Sequence, residues 1–238
     1  MANDTLKIIQ SIVGADLYAN TKKVSTNKGI KTPLVTISRF YGAGSGDVSR
    51  LLAERLAVQF YDKELLKAIV KDAKTDKHLL NRLDERVISL VDEMLHSFFT
   101  KKSTNKDSFL RYMAKVILGI GPSGGVIIGR GAHLILPKDR TFRIRLEGSM
   151  QECIKRVAKR KSIKKAKAEK MIKKMNKERS KFQKALATRY PTSVDCYDLT
   201  LNTDSFTPEQ CVEIIVTAMS EVGFKIPPQI KKSSKESE

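Results

Sequence analysis

The stretch PLVTISRFYGAGSGDVSRLLAERLAV, residues 33–58, decides the fold of this chain. Its residues 34–38 form a short β-branched run, which predicts a buried strand. Three glycines follow within residues 42–46 and mark a tight loop, and apolar residues then recur at helical spacing over 48–58. A strand, a glycine loop and a helix in this order are typical of the start of a βαβ unit.

The glycine loop has the setting of a phosphate-binding loop. Backbone N–H groups between a strand and a helix point into one concavity, and the helix dipole adds positive potential there. The usual pattern GxxxxGK[ST] is not met: aligning the helix starts puts Arg39 at its first glycine, Ser45 at its lysine and Asp47 at its Ser/Thr. We interpret the loop as a degenerate phosphate loop. The alternative is a tight turn that needs glycine for backbone reasons alone.

Further strands and helices alternate along the rest of the chain. Strands are predicted at 125–129, 141–146 and 198–202, and a short strand at 60–62. Helices are predicted over 63–98, over 108–119, over 149–189 and from Thr207, which has proline at the next position. This alternation predicts an α/β fold in three layers, with helices on both faces of a mostly parallel sheet.

The charge of the chain is concentrated in one segment. The 238 residues carry a formal net charge of +19, and residues 155–181 hold 14 Lys or Arg against two acids, which is +12 of that total. Such a chain is expected to bind phosphate in some form, as nucleotide, nucleic acid or acidic membrane surface. RNA modules usually add stacking aromatic residues, and this segment has few, so nucleic acid is the less favoured partner.

Cysteine, histidine and apolar patterns exclude several classes of protein. The three cysteines lack CxxC spacing and the three histidines lack metal-ligand spacing, so neither a zinc site nor a redox dithiol is indicated. We expect each histidine to be a surface or partly packed residue. The N-terminus lacks a signal-peptide pattern and no apolar run approaches the roughly 20 residues of a membrane helix. The sequence therefore predicts a cytoplasmic protein without a membrane partner.

Composition divides the chain into three parts. Residues 1–31 are predicted to form an N-terminal helix and linker, either a loosely docked appendage or an oligomerisation helix that would make a homodimer. Residues 32–224 are predicted to form the domain, and residues 225–238 a disordered tail.

Several motifs, in this order and spacing, resemble the cytidylate kinase-like family of P-loop nucleoside monophosphate kinases. The resemblance covers roughly residues 33–220. The motifs that carry it are ISRFYGAGSGDVSRLLAERL, VQFYDKELL, VIIGRGAHLIL, FRIRLEGSMQECIKRVAKR and YDLTLNTDSF.

The resemblance implies a P-loop NTPase fold with a helical monophosphate-binding insert and a basic helical lid at about 155–189. It implies ATP and Mg²⁺ as cofactors, and it assigns three groups of residues. The nucleotide-binding group is Arg39, Gly42, Ala43, Gly44, Ser45, Gly46, Asp47, Val48 and Ser49. The acceptor-binding group is Asp62 and Arg130, and the catalytic group of the lid is Arg156, Arg160 and Arg179. Arg39 is expected to replace the charge of the missing lysine, and Asp47 to bind the magnesium ion.

Three functions follow from these assignments as hypotheses. The first is a kinase that transfers the γ-phosphoryl group of ATP to a CMP-like nucleoside monophosphate or a similar small acceptor. The second, favoured by Ser45, is a catalytically weak nucleotide-binding regulator, and the third is an RNA-binding protein that uses the basic lid. Two assignments have plain alternatives: Asp62 as a helix N-cap, and Arg130 as a surface arginine at a turn. Asn176 also departs from the family, which commonly has aspartate there.

Overall fold

The structure is a computed structural model that describes residues 32–66, 105–187 and 196–228. The predictions for residues 1–31, for most of the helical insert and for the end of the tail lie outside the described residues. No helix in the described ranges is long and apolar enough to cross a membrane.

Five parallel strands form one sheet in the order β2–β3–β1–β4–β5. They are β1 Leu34–Arg39, β2 Phe60–Tyr61, β3 Gly125–Ile128, β4 Phe142–Glu147 and β5 Leu199–Asn202. Ile37 of β1 lies opposite Ile128 on one side and Ile144 on the other. The apolar run of β1 reflects this central position, because a parallel strand inside a sheet is buried on both faces. The prediction of parallel strands with β1 away from the edge is confirmed.

Helices cover both faces of the sheet. They are α1 Ser45–Arg55, α2 Asn105–Ile120, α3 Ala132–Ile135, α4 Met150–Lys161, α5 Lys165–Ala187 and α6 Pro208–Glu221. On one face, Val35 and Ile37 pack with residues of α1 and α6. On the other face, Leu34 packs with residues of α2 and α3. The three-layer α/β arrangement is consistent with a P-loop-like fold.

The last helix begins where its sequence predicts. Thr207 Oγ1 accepts a hydrogen bond from the Gln210 backbone N–H, and the Gln210 side chain accepts one from Thr207 N–H at 2.9 Å. This reciprocal capping box satisfies two backbone donors at the start of α6. Beyond α6, Arg55 Nη1 donates to the Pro227 carbonyl at 2.7 Å, so the described start of the predicted tail lies against the core.

The basic segment differs from its prediction as one continuous helix over 149–189. The chain forms α4 and α5 instead, separated at Ser162, which has a left-handed φ of 52°. The Ile163 N–H donates to the Ala158 carbonyl, and Ile163 packs in the small cluster formed with Val157. A left-handed residue followed by an apolar one that packs back on the helix is a pattern that terminates a helix. The lysine-rich composition concealed the break.

The topology places a crevice at the carboxyl end of β1. From β1 the chain builds β2 and β3 on one side, and then β4 and β5 on the other. Ligands of open α/β sheets bind at such a reversal of strand order, outside the carboxyl ends of the strands. The glycine loop follows β1 and therefore lies at this point.

Candidate functional site

The glycine loop leaves its backbone open at the start of α1. Gly44 is the N-cap residue of α1 and has a left-handed φ of 64°. A Cβ atom built on Gly44 or Gly46 would meet nothing within 4 Å. The first amides of the helix have no intrahelical partners and face this open space, which is the geometry that binds a phosphate.

Two adjoining cavities lie at the carboxyl edge of the sheet. The first, here called the loop cavity, measures about 270 Å³ and is lined by Gly42, Gly44, Ser45, Gly46, Asp62 and Arg160, among others. The second, called the strand cavity, measures about 300 Å³ and is lined by Ser38, Gly129, Arg130, Phe182 and Gln183, among others. Arg39, Lys63, Ile128 and Arg179 line both cavities. Two ligands could therefore lie on either side of the same two arginines.

Arg39 is a buried cation in the wall between the cavities. Burial, together with the charges of Arg179 and Arg130, lowers its pKa to about 9, against the opposing effect of Asp62. Gly129 makes room for its side chain, because a Cβ there would lie 2.7 Å from Arg39 Nη1. Gly129, the first glycine of the Gly129-Arg130-Gly131 turn, therefore leaves space for the Arg39 guanidinium.

Arg130 and Arg179 complete a cluster of three guanidinium groups. Burial lowers the pKa of both, and Arg130 additionally lowers that of Arg179. Arg179 Nη1 donates to the Arg39 carbonyl at 3.1 Å, and its guanidinium lies 5.2 Å from the centre of the Tyr41 ring. The buried Nε of Arg130 has no hydrogen-bond partner within the described part of the chain. Desolvated cations that repel one another form a strong anion site, because a bound anion relieves both costs.

Helix α5 lies directly over the glycine loop. Asn176 Oδ1 accepts a hydrogen bond from the Tyr41 backbone N–H at 2.9 Å, and Tyr41 hydroxyl donates to Met171 Sδ at 3.7 Å. The same helix supplies Arg179 to both cavities and Phe182 to the strand cavity. The amide at position 176 accepts this backbone hydrogen bond without carrying a charge.

Asp62 caps the backbone that follows it, and its acceptor-binding role stays a prediction. Its Oδ1 accepts hydrogen bonds from the backbone N–H groups of Glu64 at 3.0 Å and Leu65 at 2.8 Å, as an N-cap does. The residue also lines the loop cavity beside Lys63. Its capping role holds the carboxylate at the cavity wall.

Asp47 lies at the surface rather than in the cavity wall. Its side chain is 71% exposed and its Oδ1 is 4.0 Å from Nη1 of Arg50, which lines the loop cavity. The side chains of Val48 and Ser49 lie on the buried face of α1, and Ser49 Oγ donates to the Ser45 carbonyl at 2.6 Å. Across the described ranges no cluster of three His, Cys, Asp or Glu side chains could hold a metal by itself. The magnesium role of Asp47 stays a prediction.

The structure separates the arginines of the predicted lid. Arg160 and Arg179 line the loop cavity. Arg156 points elsewhere: its guanidinium donates to the Thr203 hydroxyl at 3.2 Å and carbonyl at 2.8 Å, and pairs with Asp204 at 3.2 Å. These contacts join α4 to the end of β5. Arg156 is absent from the lining of either cavity, so its predicted catalytic role rests on the sequence alone.

Sequence reasoning missed a buried polar network behind the strand cavity. His133, expected near the surface, is only 2% exposed. Its Nδ1 lies 3.2 Å from Ser38 Oγ and its Nε2 lies 3.3 Å from the Tyr197 hydroxyl, and its ring stacks on Tyr197. Ser38 and His133 are 95 residues apart in the chain. The strand-end position of Ser38 was the available signal, because side chains there face the ligand crevice.

Comparison with known proteins identifies related sequences and folds. The family model described as cytidylate kinase-like family matches residues 34–205. No curated protein matches the chain.

Two solved structures align with 79% of this chain. The crystal structure of an uncharacterized protein from Eubacterium ventriosum has a TM-score of 0.59 at 19% identity, covering 79% of this chain and 98% of that one. An unliganded sugar kinase from Janibacter has a TM-score of 0.41 at 13% identity, covering 79% of this chain and 95% of that one. The first likeness concerns the fold alone, and the second is too low to establish a shared property.

Proposed function

The chain belongs to the cytidylate kinase-like family, and from that premise we propose that it transfers the γ-phosphoryl group of ATP to a CMP-like nucleoside monophosphate or a similar small acceptor. One observation carries the proposal: the loop cavity and the strand cavity adjoin, and both are lined by Arg39 and Arg179. ATP would bind in the loop cavity and the acceptor in the strand cavity. The transferred group would then pass the two shared arginines.

The loop cavity suits the phosphates of ATP. The unobstructed backbone at Gly44 and Gly46 and the amino end of α1 favour close approach of an anion. Arg39 is placed to supply the charge that the missing lysine would give, and Arg160 adds a second cation. Arginine offers two parallel donors to a phosphate, where lysine offers a point charge.

The residues around the loop cavity offer two carboxylates for a magnesium ion. Mg²⁺ commonly binds through one or two carboxylates together with substrate phosphates and water. Asp62 in the cavity wall and Asp47 at the start of α1 are the carboxylates that would hold it. When bound, the ion would neutralise charge on the triphosphate. Asp47 would otherwise repel that charge.

The strand cavity suits a small acceptor with an anionic group. Arg39, Arg130 and Arg179 supply positive charge, and Phe182 and Ile128 supply apolar wall against which a base could pack. Phosphoryl transfer depends chiefly on positioning and on charge stabilisation of the transferring group. Both demands are met by arginines that hold their charge in a partly dry site.

Helix α5 would act as the lid over this site. It contacts the loop through Asn176 and provides Arg179. Its closure would therefore exclude water and, at the same time, bring a cation to the reacting group. A catalytically weak nucleotide-binding regulator is the second candidate function, favoured by Ser45 at the lysine position.

An ADP-release assay coupled to NADH oxidation tests the proposal. Mg-ATP would be supplied with CMP, dCMP, UMP, AMP, GMP and small-molecule acceptors in turn. We expect at least one acceptor to raise ADP release well above the rate with ATP alone. ATP binding by calorimetry with no acceptor-dependent release would favour the regulator, and the absence of nucleotide binding would contradict both functions.

A further inference from the structure

A row of polar side chains leads from the strand cavity, through the buried His133, to the half-exposed Tyr197 and Arg145. Ser38 lines the cavity and is 5% exposed. His133 and then Tyr197 lie behind it. Ser38 Oγ is 3.2 Å from His133 Nδ1, and His133 Nε2 is 3.3 Å from the Tyr197 hydroxyl. Arg145 follows, with its guanidinium 5.4 Å from the Tyr197 ring centre and its Nε donating to Glu147 Oε1 at 2.6 Å.

The chemistry of these groups determines which atom donates and which accepts in each hydrogen bond of this row. The Arg145 cation beside Tyr197 cannot accept a proton, so His133 Nε2 is the acceptor for the Tyr197 hydroxyl proton. Accepting at Nε2 leaves the His133 proton on Nδ1, which then donates to Ser38 Oγ. The Ser38 hydroxyl, whose oxygen now accepts, retains its O–H as a donor toward the cavity.

We propose that Ser38 is an acceptor-binding residue whose hydroxyl donates a hydrogen bond to the anionic group of the acceptor. His133 and Tyr197 are positioning residues that keep this hydroxyl a donor. The anionic group is the target because Ser38 shares its cavity with Arg39, Arg130 and Arg179, whose charges attract an oxyanion to the same space. This inference rests on the proposed function, since it takes the strand cavity as the acceptor site.

The expected effect is large enough to measure. A hydrogen bond to a charged group in a partly buried site contributes enough that its loss lowers affinity about tenfold to a hundredfold. The effect should fall on the acceptor and leave ATP unchanged, because Ser38 lines the strand cavity and is absent from the lining of the loop cavity.

Calorimetry of CMP and of ATP on Ser38→Ala tests the hydroxyl. We expect CMP affinity to fall at least tenfold with ATP affinity within about twofold, and Ser38→Thr, which keeps the hydroxyl, to recover most of the loss. Thr36→Val is the matched control, because Thr36 is buried on the same face of β1 and does not line the cavity. Its Oγ1 has no hydrogen-bond partner among the residues that the structure describes. Equal CMP affinity in Ser38→Ala and the intact chain would overturn the assignment.

Nitrogen-15 NMR of the histidines tests the positioning role without any ligand. We expect His133, identified by its loss in His133→Asn, to be the Nδ1–H tautomer in the intact chain. Tyr197→Phe keeps the ring stack and removes the donor, so the proton should move toward Nε2 and CMP affinity should fall several-fold. An Nε2–H tautomer in the intact chain, or an unchanged tautomer in Tyr197→Phe, would overturn the proposed direction.

Failure of this inference can be told from failure of the proposed function. An intact chain that binds ATP and phosphorylates an acceptor, with Ser38→Ala showing normal acceptor affinity, would remove Ser38 alone. An intact chain that binds neither CMP nor inorganic phosphate would remove the acceptor site and the Ser38 assignment together.

Discussion

Two regions hold much of the positive charge of this protein, and they are built differently. At the sheet edge, Arg39, Arg130 and Arg179 are partly or largely buried, and burial lowers the pKa of each. On the outer surface of α4 and α5 the cations are exposed lysines. They are Lys155, Lys159, Lys161, Lys164, Lys165, Lys167, Lys170, Lys173, Lys174, Lys177, Lys181 and Lys184.

The difference shows why net charge alone does not locate a binding site. An exposed lysine is already stabilised by water, so pairs such as Lys173–Glu169 contribute little. A desolvated arginine among other arginines gains far more from an anion, because binding restores the interactions that burial removed. The lysines set the pI and steer anions at long range, whereas the arginines hold them.

The largest expected difference between the two regions is the loss of kcat/KM when one of their cations is removed. Arg179→Ala removes a cation from the wall shared by both cavities, and we expect kcat/KM for the best acceptor to fall about a thousandfold, as loss of an arginine at a transferring phosphoryl group does. Lys173→Ala is the matched control on the same helix, with an exposed side chain, and should change kcat/KM less than about twofold. Steady-state kinetics with both substrates varied measures this. Equal losses in the two variants would erase the distinction between the regions.

Arg39 should show the cost of a buried cation. Arg39→Gln removes a desolvated charge that Arg179 and Arg130 repel, so the ligand-free protein should melt about 2–4 °C higher, a gain of about 1 kcal/mol. The same change should weaken ATP binding about a hundredfold, because the substitute for the missing lysine is lost. Differential scanning calorimetry and titration calorimetry measure the two effects. A variant that melts lower and binds ATP normally would assign Arg39 to the fold.

The pH dependence checks the cause of that stability change. The folded-state pKa of Arg39 is about 9, below its ordinary value, so at neutral pH the folded protein bears a charge that the fold disfavours. As pH rises through about 9, the folded state releases this proton while the unfolded state keeps it, and stability increases. The stability advantage of Arg39→Gln should therefore be constant up to about pH 8 and shrink as the pH rises from about 9 to 10. An advantage that is constant across this range would point to packing instead.

Local patterns predicted the framework of this site, and contacts between distant residues completed it. The strand at 34–39, the loop and the GRG turn follow from short-range signals, because β-branched runs and glycines report backbone conformation directly. The resemblance assigned Arg39 and Arg130 to two different groups, and the structure brings both to the lining of one cavity. The different fates of Arg156 and Arg160 were not predictable, since Thr203 and Asp204, which hold Arg156, lie about 50 residues further along the chain.

The Ser38–His133 contact was hidden for the same reason. A lone serine in a strand and a lone histidine in a short helix carry no spacing signal, and their meeting depends on β1 pairing with β3. The break at Ser162 was hidden by composition, because lysine favours a helix throughout the segment. Tertiary packing of Ile163 decided the outcome there.

Helix α5 should become more protected when the site is filled. Its buried residues are few, and Arg39 and Arg130 repel its own Arg179 until an anion binds. We expect amide hydrogen exchange across the middle of α5 to slow about tenfold with ATP and an acceptor together, with little change in β1 and β4. Exchange measured by mass spectrometry, with and without nucleotides, gives the comparison. Slowing of the same size in the core strands would indicate general stabilisation rather than lid closure.

The smallest effect is expected at Asp47, which belongs to neither region. Its carboxylate is 71% exposed and 4.0 Å from Arg50, so water screens its action on a nearby triphosphate. We expect Asp47→Ser to leave Mg-ATP affinity within about threefold, because an exposed charge contributes little. Affinity for ATP without magnesium should rise, since a carboxylate that repels the free triphosphate is gone. The ratio of affinities with and without magnesium should therefore fall several-fold, and titration calorimetry on both proteins measures it.

Arg50→Ala is the control for the ion pair, and it should raise the same ratio by exposing the full charge of Asp47. An unchanged ratio in Asp47→Ser would remove the metal role of this residue and leave Asp62 as the carboxylate beside the phosphates.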